Sequence, residues 1–142
     1  MKISEKIIFF GLYTLSQSSY SQNNLLSNFG EVSAMYIGSC YAIEYLKHEK
    51  CRSIATLDPI QCQQKIVQLL PSRFKTEMDQ TITRERQEIR KIAVSSVDIG
   101  FKKVMNTTNN DIEKSCLGYA TVLNTYTFSQ FEELKRIAKL IK

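Results

Sequence analysis

Apolar residues in this chain recur at three- and four-residue steps, and little interrupts them. Prolines number two and glycines five in 142 residues. No alternating β-branched run is bounded by hairpin turns, so strand signals are lacking while helical ones repeat. These features predict an all-α fold, a compact bundle of about five helices. With 43% hydrophobic and 23% charged residues, the chain has the balance of a globular domain and enough apolar material for one modest core.

The helices are placed by their faces and caps. Val32, Met35, Tyr36, Cys40, Ile43 and Leu46 share one face of a first helix over about 31–48. Asp58, Pro59 and Gln61 form a capping-box start for a second helix, which ends before Pro71. A third, over about 72–105, carries the stripe Ile82, Ile89, Ala93, Val97, Phe101 and Val104, with a break expected near Thr76–Gln80. Asn106 to Asn109 reads as a polar connector. Asn110 with Glu113 reads as the cap of a fourth helix, and Ser129 with Glu132 as the cap of a fifth.

The N-terminus predicts export. Lys2 and Lys6 precede the apolar run Ile7 to Leu15, and Ser19 and Ser21 stand at −3 and −1 of a cleavage before Gln22. The run is shorter than the ~20 residues a membrane span needs. The expected organisation is therefore a signal peptide over 1–21 and a single helical domain over 22–142, with no membrane segment after cleavage. Four cysteines, Cys40, Cys51, Cys62 and Cys116, fit two disulfides in an exported chain, and three connectivities are open to them. Cys40 and Cys116 both fall on predicted apolar faces, and Cys51 and Cys62 bracket the turn into the second helix. The expected pairing is thus Cys40 with Cys116 and Cys51 with Cys62.

Chemistry is hard to find. His48 is the only histidine and sits at a helix end. No cysteine or histidine spacing matches a zinc site, and no glycine-rich phosphate loop or nucleophile elbow is present. No catalytic residue, metal or cofactor is assigned, and the chain reads as a non-enzyme. The formal charge of +5 is spread among acidic residues. The densest basic cluster, Arg84, Arg86, Arg90 and Lys91, lacks interleaved exposed aromatics and reads as a solvated face, not a nucleic-acid site.

Two stretches carry a resemblance. Residues 33–46 (SAMYIGSCYAIEYL) form a small and aromatic helix around a cysteine. Residues 115–142 (SCLGYATVLNTYTFSQFEELKRIAKLIK) carry Cys-Leu early in one helix, then a turn with Ser, and close on a leucine-centred helix. With the export signal, this resembles the periplasmic immunity proteins that protect bacteria against type VI secretion amidase effectors. The resemblance implies a helical, disulfide-containing periplasmic protein with a tendency to dimerise. It also implies inhibition of a secreted peptidoglycan amidase by a loop or helix end placed in the enzyme's cleft. The inserting element would then be the polar turn Asn106, Thr107, Thr108, Asn109 and Asn110. The competing reading is an unrelated periplasmic helical binding or chaperone-like protein.

Overall fold

Four helices make up the fold in a computed structural model, which describes residues 21–142: α1 (Gln22–Glu49), α2 (Pro59–Val67), α3 (Ser72–Thr107) and α4 (Ile112–Leu140). No strand occurs among the described residues. The signal peptide expected over 1–21 lies outside them, apart from Ser21. Ser21 is the N-cap of α1, its hydroxyl accepting from the Asn24 amide at 3.2 Å. α1 therefore starts well before residue 31.

α1 is the axis of the molecule. From Asn28 to Ile43 every residue except Gly38 is buried. A helix buried on nearly every side must be covered by its neighbours, and α2, α3 and α4 each pack against it. α3 runs parallel to α1: Leu26 neighbours Phe74, Gly38 faces Ile89, and Tyr45 bonds Asp98. α4 runs antiparallel, from the Cys51–Cys116 bridge through the Ser39–Thr127 contact to the Gln22–Lys142 contact. The core is built around Phe29, Ile37, Leu46, Ile66, Ile82, Ile89 and Leu134, all fully buried.

α2 begins where the sequence places it. The Asp58 carboxylate accepts from the Ile60 amide at 3.0 Å, and Pro59 occupies the first turn. Gln63 locks α2 to α3. Its amide nitrogen donates to Asp79 Oδ1 and Thr83 Oγ1, both at 2.9 Å, and its carbonyl accepts from Arg86 at 2.8 Å. Gln63 is thus buried with its polar atoms satisfied, as a buried amide must be.

Three expectations need correction. α3 is unbroken through Thr76–Gln80, and at 36 residues it spans about 54 Å. The expected fourth and fifth helices are one helix, α4, so Ser129 lies within it and is no cap. The segment before Ser129 is helical throughout, and threonine hydroxyls in and before it bond to carbonyls one turn back or across to α1. Thr121 donates to the Leu117 carbonyl at 2.7 Å, and Thr127 shares its proton between the Leu123 carbonyl at 2.7 Å and Ser39 Oγ at 2.8 Å. All four cysteines are bridged, but as Cys40–Cys62 and Cys51–Cys116. Cys40 is on the side of α1 that meets α2, and Cys51 follows α1 directly beside the start of α4. Apolar periodicity marked Cys40 and Cys116 as buried without saying which neighbour each one meets.

Candidate functional site

The turn between α3 and α4 is shorter than its sequence suggests. Asn106 and Thr107 belong to the last turn of α3, and only Thr108 to Asp111 lie between the helices. Thr108 caps α3, Asn109 follows with φ 54°, and the Asn110 amide donates back to the Met105 carbonyl at 2.8 Å. This is a Schellman closure with asparagine in the left-handed position that glycine usually takes. Asn110 is left-handed as well, at φ 62°. Asparagine tolerates this conformation better than other side chains do. The cap of α4 is Asp111 instead of Asn110: its carboxylate accepts from the Lys114 amide at 3.1 Å.

Further bonds stiffen the turn. Thr108 Oγ1 and Ser115 Oγ are 2.6 Å apart, and Ser115 Oγ also donates to the Asp111 carbonyl at 2.7 Å. The next residue, Cys116, is bridged to Cys51 just past the end of α1. Asn106, Thr107, Asn109 and Asn110 are exposed and Thr108 is half-buried. The five expected residues therefore stand together at one end of the bundle, as a polar corner fixed by a disulfide.

The same end holds a charged knot. Asp98 accepts from the Tyr45 hydroxyl at 2.8 Å and pairs with Lys50 at 3.5 Å. The Lys50 ammonium also sits 5.8 Å from the centre of the Phe101 ring. The bond to Asp98, then burial, raises the Tyr45 phenol above its usual range. Asp98 thus serves α1 across the interface, and not Lys102 one turn along its own helix.

A second feature was not foreseen. α3 and α4 both lean on α1 but meet each other chiefly near Gly100 and Tyr119. A Cβ on Gly100 would lie 2.5 Å from the Tyr119 hydroxyl, so any larger residue there must move the Tyr119 ring. Beyond it the helices part around a pocket of about 270 Å³. Its floor is Ala34, Gly38, Ser39 and Ala42 of α1, and its walls include Ile89 and Ile92 of α3 with Val122 and Tyr126 of α4. Tyr126 is 38% exposed, yet apolar crowding around its phenol pushes its pKa up to about 12. The sequence signal was the small residue at every fourth position, Ala34, Gly38 and Ala42. Of the α4 wall, Tyr126 falls just before Ser129, where the sequence predicts the start of a fifth helix.

Other sequence candidates are scattered. His48 is exposed near the end of α1. No cysteine thiol is free to pair with it, since all four are in disulfides. Among the described residues no group of histidine, cysteine, aspartate or glutamate is arranged to hold a metal ion. Arg86 is held by Gln63, while Arg84, Arg90 and Lys91 lie exposed along α3. The two disulfides fit an oxidising, exported compartment, and no described helix is long and apolar enough to cross a membrane. No family model, curated protein or solved structure matches the chain.

Proposed function

We propose that this chain is a periplasmic immunity protein that binds and inhibits a peptidoglycan amidase delivered by type VI secretion. The observation that carries the reading is the α3–α4 turn. It presents exposed side-chain amides from a left-handed pair, Asn109 and Asn110, tied down by the Cys51–Cys116 bridge. A polar corner already rigid before binding loses little conformational entropy on entering a cleft. The loose likeness of residues 33–46 and 115–142 to the amidase immunity proteins supplies the partner class.

The test is inhibition of a purified amidase effector by the oxidised protein. Asn109→Gly and Asn110→Gly remove the side-chain amides and keep the left-handed backbone, whereas alanine there would add strain of its own. Together they should weaken inhibition at least tenfold with thermal unfolding little changed. Unchanged inhibition would show that the turn is not the inserting element.

A helical binding or chaperone-like protein is the second reading, favoured by apolar side chains left open on α4. Leu117 is 72% exposed and Phe128 is 67% exposed. Suppression of aggregation of an unfolded client, lost in Leu117→Ser/Phe128→Ser, would support this reading over the first.

A further inference from the structure

We propose that the pocket between α3 and α4 is a binding site for a small, uncharged, apolar molecule of about ten carbon atoms. Its size sets the upper limit. A dry apolar cavity of ~150 Å³ accepts benzene, so a volume of about 270 Å³ takes a molecule nearly twice that size, such as a fused pair of rings or a medium-length alkyl chain.

Charge sets the class. The twelve residues lining the pocket include no Asp, Glu, Lys, Arg or His, in a chain that has 33 Asp, Glu, Lys and Arg residues. The one ionisable group in the lining, the Tyr126 phenol, stays neutral well above physiological pH. Ser39 has its hydroxyl engaged, donating to the Tyr36 carbonyl at 2.6 Å and receiving Thr127 at 2.8 Å. A charged headgroup would therefore exchange its hydration for apolar carbon and the neutral hydroxyls of Ser96 and Tyr126, with no opposite charge to meet it, while an apolar molecule leaves water for an apolar surface.

The backbone keeps the space open. Ala34, Gly38 and Ala42 form the floor where larger side chains would close it, and a Cβ on Gly38 would meet Ile89 at an ordinary 3.6 Å. The mouth carries Val122, 65% exposed, which gives an occupant a way in without unfolding the bundle.

The experiment uses the oxidised protein with methyl-labelled Ala, Ile and Val, titrated with naphthalene and followed by NMR. The expected result is saturable shifts at the methyls of Ala34, Ala42, Ile89, Ile92 and Val122. Val122→Trp at the mouth should weaken binding at least tenfold. Leu117→Trp, on the opposite face of α4, should leave it unchanged, and both positions are exposed enough to spare the fold. Three results would overturn the proposal. The first is no saturable shift up to the solubility of naphthalene. The second is equal binding by Val122→Trp. The third is the same methyl shifts appearing on raising protein concentration without ligand, which would give the pocket to a second copy of the chain.

Discussion

Replacing Cys51 and Cys116 together by alanine removes the bridge that joins the end of α1 to the start of α4, across a sequence separation of 65. In the chain-entropy treatment a loop of that length restrains the unfolded state by about 4.3 kcal/mol at room temperature. The Cys40–Cys62 bridge spans 22 residues, and the same treatment gives about 3.4 kcal/mol. All four cysteines are buried, between 0% and 5% exposed, so the packing lost with each pair is comparable. The difference of ~1 kcal/mol is then mainly the loop term. Cys51 lies within the loop closed by Cys40 and Cys62, so the two contributions are coupled and their sum is not the cost of losing both. Urea unfolding of the two double variants, followed by far-ultraviolet circular dichroism without reductant, measures each cost. The Cys51/Cys116 variant should unfold at the lower urea concentration. If the Cys40/Cys62 variant were the weaker by 1 kcal/mol or more, or if neither lost more than about 1 kcal/mol, the reasoning from loop length would be wrong.

Other outcomes follow from local geometry. Gly100→Ala must displace the Tyr119 ring from Phe101 and should lower stability by up to about 2 kcal/mol despite better helix propensity. Gly118→Ala meets nothing within 4 Å and should raise stability by about 0.5–1 kcal/mol in the same thermal assay. Asp58→Ala removes the carboxylate that accepts from the Ile60 amide and should cost about 1 kcal/mol in chemical unfolding. Tyr126 titrates near 10 when unfolded and at about 12 when folded. The folded state therefore holds its proton more tightly, and stability falls as pH rises from about 10 toward 12. Ultraviolet titration of tyrosinate should lose its latest-ionising component in Tyr126→Phe, and an unchanged curve would contradict the assigned environment.

Much of the fold was legible because its signals are local. Asp58 and Pro59 start α2 by cap and ring chemistry that needs no tertiary knowledge, while the helix ends at Val67, short of the end expected just before Pro71. Ile82, Ile89, Ala93, Val97 and Phe101 mark the buried side of α3 because that helix has one buried face. α1 was harder, because a helix covered all round shows no polar face to mark its ends, and its start rests on Ser21 alone. α4 was split at a run of threonine, tyrosine and serine that reads as a connector. Within it the Thr127 hydroxyl is satisfied by the Leu123 carbonyl one turn back and by Ser39 across the interface, and the second of these is a tertiary fact. Disulfide pairing is also tertiary: periodicity marks Cys40 as buried, but only the path of α2 brings Cys62 to it. Polarity pointed to a turn within 106–110, although Asn106 and Thr107 belong to α3 and the turn itself is Thr108 to Asp111. Its left-handed geometry and the cap at Asp111 emerged only with the backbone. The pocket could not be read beforehand, because it exists where α3 and α4 fail to meet.

The central claim is that this chain acts by inhibiting a secreted peptidoglycan amidase. The most direct measurement is hydrolysis of purified peptidoglycan by a panel of type VI amidase effectors, each titrated with the oxidised protein after both bridges are verified by peptide mapping. The account predicts complete inhibition of one effector at a one-to-one ratio of binding sites, weakened by the paired Asn109→Gly and Asn110→Gly substitutions. Full amidase activity across the panel at excess protein, with the fold and both disulfides intact, would contradict it.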